Sequence, residues 1–129
     1  MFMQANIGKL ILRLMIGGMM FLHGIAKMSH GIDFIKGIIV RNGLPEFLAF
    51  GVYIGEVLAP MLLIIGFKSR LAAGIVAFNM VVAIYLVHLK DMFILTNTGA
   101  WAVETQMFYL FGSICIVLLG SGKYAAKPD

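Results

Sequence analysis

The chain has 129 residues, of which 61% are hydrophobic and only 12% charged, with a mean hydropathy of +0.99. A soluble domain carries about 25% charged residues, so this chain cannot coat a globular surface with charge, and much of that surface must face lipid. Its net charge of +4 is scattered between apolar runs, which excludes a nucleic-acid stripe, and its single cysteine, Cys115, excludes an internal disulfide or a CxxC pair.

Four apolar runs follow one another, each close to the ~20 residues that cross a hydrocarbon core of about 30 Å. They extend over about 7–28, 46–66, 71–89 and 101–120. The expected fold is all-α: a single-domain transmembrane four-helix bundle. The first run is too long for a signal peptide, and HGIAKMSHG offers no small-residue cleavage site, so it reads as a true span. In it Arg13, His23 and Lys27 fall within about 80° of one another at ~100° per residue. Gly17, Met20 and Gly24 lie on or beside that arc, and small residues there allow close approach of a neighbouring helix. The bland reading of Arg13 and Lys27 is that they snorkel from the two ends of the span.

The connection SHGIDFIKGIIVRNGLPE carries Ile32, Ile35, Ile38 and Ile39 at helical spacing, with Asp33, Lys36 and Arg41 between them. This predicts a short amphipathic helix at the membrane surface, then a turn at Asn42-Gly43-Leu44-Pro45. The second span, FGVYIGEVLAPMLLIIGF, holds Glu56 at mid-depth, too deep for a short side chain to reach water. Four residues on, Pro60 removes the N–H that an α-helix would offer to the carbonyl of Glu56, so a kink is expected. A lone polar group in lipid costs several kcal/mol, so Glu56 needs partners inside the bundle. Gly51-x-x-x-Gly55 beside it is a close-packing pattern.

After the tight FKSR turn, the third span aligns Arg70, Gly74, Ala77, Val81, Tyr85 and His88 on one face. Asn79 points the opposite way and reads as an interhelical hydrogen-bonding group. The connection LKDMFILTNTGA follows, with Phe93, Ile94 and Leu95 expected to dip into the interface. The fourth span opens at Trp101, an interfacial anchor, and aligns Glu104 with Phe108, Phe111 and Cys115. The tail GSGKYAAKPD is polar and is expected to be flexible.

Lys9, Arg13, Lys68, Arg70, Lys123 and Lys127 lie on one side of the expected spans, and Lys27, Lys36, Arg41 and Lys90 on the other. This bias favours a multi-pass arrangement with both termini in the cytoplasm. Alternating spans then bring His23, Lys27, His88 and Glu104 into the outer half, above Glu56, while Arg13 and Arg70 support from the inner side. Ionisable residues inside spans are candidate functional groups. Together the five outer residues describe a polar pocket suited to relaying protons, since burial and neighbouring cations move a carboxylate towards neutrality and histidine titrates nearby. A quinone headgroup needs polar donors at its carbonyls and a proton source, and this pocket offers both. The competing reading makes Glu56 a protonated interhelical tie. His23 and His88 offer one axial ligand each to a haem, against the commoner role of histidines in hydrogen-bond networks. There is no HExxH, no Cys/His pair at ligand spacing, no P-loop and no dinucleotide glycine pattern, so no metal or nucleotide is expected.

The order GKLILRLMIGGMMFLHGIAK, IGEVLAPMLLIIGFKSRLAA, a third-span histidine, a fourth-span glutamate and a closing GSGKY resembles the DoxX family over nearly the whole chain. The Arg13…His23-Gly24…Lys27 and Glu56…Gly66-Phe67…Arg70 runs are its most specific parts. The resemblance implies a small four-helix prokaryotic membrane protein, related to the small subunit of thiosulfate:quinone oxidoreductase, with a quinone-associated role. Other members are associated with oxidative or thiol stress. This chain has no redox cysteine pair of its own, so its electrons are expected from a partner or a bound quinol. Four helices in 129 residues make a small bundle suited to a homo-oligomer or a complex with a membrane redox partner. Three readings stand at this stage: a quinone-binding oxidoreductase subunit, a transporter or lipophile-binding protein using the same pocket, and an assembly scaffold whose polar residues only fix helix register.

Overall fold

The computed structural model describes residues 2–30, 33–88, 94, 95, 99 and 102–129. Among them the chain is all-α, with five helices: α1 (Phe2–His30), α2 (Asp33–Arg41), α3 (Glu46–Ile65), α4 (residues 69–88) and α5 (Glu104–Leu119). Three of these, α1, α3 and α4, are long and apolar enough to cross a membrane. The fourth expected span is represented by α5, an apolar helix of 16 residues that rises about 24 Å at ~1.5 Å per residue. Ile32, Phe93 and Trp101 lie outside the described residues, as do the side chains of Lys27, Ile35 and His88.

The middle of α3 shows why Pro60 matters. The helix opens with a tight turn, Glu46–Phe50, behind extended Pro45, and becomes α-helical at Gly51–Tyr53. It then widens into a π turn, Ile54–Leu58, in which the Ala59 N–H donates five residues back to the Ile54 carbonyl. The α-helix resumes at Ala59–Ile65 with Pro60 in its first turn, where a missing N–H is harmless. The expected kink is thus a π bulge centred on Glu56. Such bulges recur at functional sites because they re-aim side chains. Gly66 closes α3 in the left-handed conformation (φ 86°), with the N–H groups of Gly66 and Phe67 both donating to the Leu62 carbonyl at 2.8 and 3.0 Å.

Packing depends on how close α1 comes to that bulge. A Cβ placed on Gly17 would stand 2.9 Å from the Pro60 carbonyl oxygen, and one on Gly24 would overlap the Glu56 carbonyl. Backbone therefore lies against backbone at both levels. In a bilayer, where lipid tails are as apolar as leucine, such contact rather than hydrophobic exclusion holds helices together. The core it encloses is lean: Ile16 and Met20 of α1, Ala59 and Leu63 of α3, Ala72, Ala73, Val76 and Met80 of α4, Tyr109 and Ile116 of α5.

At one end of the bundle α2 forms a bridge. The expected amphipathic helix is present, and its Ile39 is buried with Ala49 of α3, against Tyr53 and Leu86 of α4. The lower part of α3 packs on α4, whereas Glu46–Phe50 packs chiefly on α2. The two long helices consequently diverge towards α2.

The opposite end corrects the expectation of a flexible tail. Residues 123–127 fold back across the bundle: the Ala126 and Lys127 N–H groups donate to the Ile65 and Gly66 carbonyls (both 3.1 Å), and the Lys123 N–H donates to Asn6 Oδ1 at 2.9 Å. Asp129 Oδ2 accepts from the Arg70 N–H at 3.1 Å. Both ends of the chain therefore lie at one end of the bundle. The tail's own backbone groups serve the end of α3.

The α1–α3 contact makes a prediction. Gly24→Ala forces a methyl into the Glu56 carbonyl and should destabilise the protein by about 1–3 kcal/mol. Gly18→Ala, where an added Cβ meets nothing within 4 Å, should be neutral or stabilising by up to about 1 kcal/mol. Denaturation in mild detergent followed by circular dichroism reads both; equal effects would contradict the packing described.

Candidate functional site

Where α3 and α4 diverge, under α2, the bundle holds a cavity of about 710 Å³. Its walls are mostly apolar: Met20 of α1, Ile38 and Ile39 of α2, Leu44 of the turn before α3, Leu48 of α3, and Phe78, Met80 and Leu86 of α4. Its polar lining comes from four helices: Glu56 on the π bulge of α3, Asn79 on α4, Thr105, Gln106 and Tyr109 on α5, and His23 on α1.

Glu56 is 3% exposed, and Asn79 Nδ2 donates to its Oε1 at 3.4 Å. A buried carboxylate is tolerable only where donors compensate its lost hydration, and the amide is one such donor. Gly55, next to Glu56, makes the pairing possible: a Cβ on it would fall 2.7 Å from the Asn79 side-chain amide carbon. The second glycine of the Gly51/Gly55 pair thus admits an amide, not a neighbouring backbone. Tyr109 is also buried, and its ring meets that of His23 edge to face, with centroids 5.6 Å apart at 89°. This contact joins α1 to α5 and fixes two groups that donate or accept hydrogen bonds at the cavity wall.

The structure brings together two of the five expected pocket residues, His23 and Glu56. The helical positions of Lys27 and His88 are described but their side chains are not. Glu104, the first residue of α5, is exposed and stands outside the cavity lining. Its expected neighbours Phe108, Phe111 and Cys115 are exposed too, so that face of α5 looks outward, and Gln106, Tyr109, Ser113 and Ile116 look inward. On α4 the same inversion holds: Val81 and Tyr85 of the expected polar face are 51% and 66% exposed, while Ala72, Ala73, Val76 and Met80 are buried. A second π turn, Ile84–His88, also breaks the register used to align His88 with Arg70. Asn79 is the interhelical hydrogen-bonding group the sequence indicated, and it belongs to the cavity as well. Gln106 and Tyr109, three residues apart on one helical face, are the polar pair that the angular reading from Glu104 passed over.

Arg13 and Arg70 belong to the tail end. Arg13 is 1% exposed, so it does not snorkel; its Nη2 donates to the Tyr124 carbonyl at 2.6 Å. A Cβ on Gly66 would collide with the Arg13 guanidinium and with Ala125. The cation thus sits under the folded tail, beside the α3 terminus. Arg70 is exposed and lies against Gly120, where a Cβ would meet its Nη2 at 2.9 Å.

No cluster of three His, Cys, Asp or Glu side chains fit to hold a metal occurs among the described residues. Chemically, the site offers a carboxylate, two amides, a hydroxyl, a phenol and an imidazole along one apolar chamber. That is the layout of a site for a mostly apolar molecule with a few polar atoms. Fold and site together define a small helical membrane protein with a polar-floored cavity between its spans. The chain belongs to the DoxX family: the family profile matches residues 8–89. It is also 31% identical over 126 residues to a protein of Bacillus subtilis (strain 168) named "Putative oxidoreductase CatD", covering 95% of this chain and 87% of that protein. No solved structure matches the chain.

The buried cation under the tail is open to a direct check. Arg13→Met removes a charged hydrogen bond worth about 1.5–3 kcal/mol. Tail opening governs cleavage when reclosing is fast, so trypsin should cut after Lys123, the tail lysine not followed by proline, roughly tenfold faster. Arg70→Met, which leaves the backbone bond to Asp129 intact, should change the rate little. Equal rates in all three proteins would show that Arg13 does not hold the tail.

Proposed function

We propose that this chain is a quinone-associated membrane subunit of an oxidoreductase, and that the cavity under α2 receives the quinone headgroup. The observation that carries the reading is the pairing of Glu56 with Asn79 at a π bulge, inside an apolar chamber of about 710 Å³. The relative's name, which says oxidoreductase, supports the class of chemistry.

The residues fit such a ring. Its two carbonyl oxygens need donors on separate walls, and Asn79, whose amide Glu56 helps to orient, on one side and Gln106 with Tyr109 on another provide them. Met20, Phe78 and Met80 supply apolar and aromatic contact for its faces. A bound quinone carries two electrons and two protons per reduction. The protein's part is to bind the head, keep bulk water away and exchange protons at the Glu56 carboxyl and the His23 imidazole, whose ring is exposed at the cavity edge. The electrons come from a partner redox protein. The same reading places the chain in the prokaryotic inner membrane with both ends cytoplasmic, supported by the Lys and Arg excess at the tail end.

Extraction in mild detergent followed by mass spectrometry of bound small molecules tests this. Wild type should carry quinone in near-stoichiometric amount, and Glu56→Gln should retain no more than about a tenth of it, a loss of ~1.4 kcal/mol or more. Equal or absent quinone in both proteins would leave transport of another lipophile, or a scaffold role, in its place.

A further inference from the structure

The cavity has a rim as well as a floor, and the rim faces lipid. Its members on α3 are Leu48 and Gly51, and on α4 Phe78 and Val82; Leu48, Phe78 and Val82 are 43%, 71% and 37% exposed. All are apolar; Glu56 lies deeper along α3 than Leu48 and Gly51, and Asn79 lies deeper along α4 than Val82. The helices separate here because Glu46–Phe50 leans on α2 while the lower half of α3 stays against α4.

Gly51 has no structural reason to be glycine. Its backbone is ordinary right-handed helix (φ −60°, ψ −25°), and a Cβ built on it meets no described atom within 4 Å. Glycine inside a helix costs about 1 kcal/mol relative to alanine. What its missing side chain provides is a gap at the rim, one turn before Gly55 and the polar floor.

We infer that the cavity is loaded sideways from the bilayer, through the gap between α3 and α4 at Gly51, and that its ligand is a chain-bearing amphiphile bound head first. The polar head reaches Glu56 and Asn79. The apolar chain trails out past Leu48, Phe78 and Val82 into lipid, so a cavity of this volume need not enclose it. Gly51 is the specificity-determining position, because any larger side chain there narrows the passage. The inference rests on the reading of this cavity as a quinone site, and the experiment separates the two.

The full-length protein is reconstituted in phosphatidylcholine vesicles containing ubiquinone-4, repurified after increasing times, and assayed for retained quinone. Gly51→Leu should load at least fivefold more slowly than wild type, while Gly51→Ala stays within twofold. Val82→Ala, which widens the same gap from the other helix and removes no residue assigned to the ring, should load about twofold faster. Glu56→Gln should retain little quinone at any time. If Gly51→Leu and Val82→Ala both load like wild type while Glu56→Gln fails, sideways loading at Gly51 is wrong and the quinone site stands. If wild type itself retains none, both fall. Because Val82→Ala is expected to act in the opposite direction, a Gly51→Leu protein that misfolds does not shelter the idea.

Discussion

A carboxylate placed halfway along a membrane helix must find polar company within the protein, and much of this fold answers that requirement at Glu56. Pro60 withholds the donor that an α-helix would present to the Glu56 carbonyl, and the chain widens into a π turn around it. The bulge would splay α3 from its neighbours if side chains had to be accommodated. Instead Gly24 brings the α1 backbone onto the Glu56 carbonyl, and Gly55 lets Asn79 reach the carboxylate. Removing either glycine separates elements that the buried charge needs close.

The second consequence is the cavity. With α3 held to α1 and α4 near Glu56, its first turns are free to lean outward, and α2 crosses the space that opens. A surface helix that reads as membrane-bound amphipath thus becomes a roof, its Ile38 and Ile39 buried against protein. At the other end the folded tail covers Arg13, so Arg13 and Glu56, the two buried charged residues among those described, are housed by different devices. Arg13 donates to loop backbone from a distant part of the chain, and Glu56 accepts from the Asn79 side chain of a neighbouring helix.

Much of this was legible beforehand, for identifiable reasons. Helix positions follow from apolar runs, the Asn42–Pro45 and FKSR turns from their residues, and the singularity at Glu56 from a carboxylate four residues before a proline. The small residues Gly17 and Gly24 also announced a close helix contact. The inward faces of α4 and α5 were not legible. In a membrane protein both faces are apolar, so hydrophobic periodicity does not separate lipid from core, and polar residues such as Glu104 and Arg70 mark helix ends as readily as interiors. The π turn Ile84–His88 also breaks the 100° step on which the angular alignment of His88 with Arg70 depended. The tail was misread because its docking uses backbone groups, which composition does not reveal.

The central claim, that a quinone head sits between the π bulge of α3 and α4, is tested most directly by photolabelling the reconstituted protein with an azido-ubiquinone and mapping the modified peptides. The account predicts label within residues 48–57 and 75–83, suppressed by excess ubiquinone. Label confined to the lipid-facing side of α5, around Phe108, Phe111 and Leu118, or label that excess ubiquinone leaves unchanged, would contradict it.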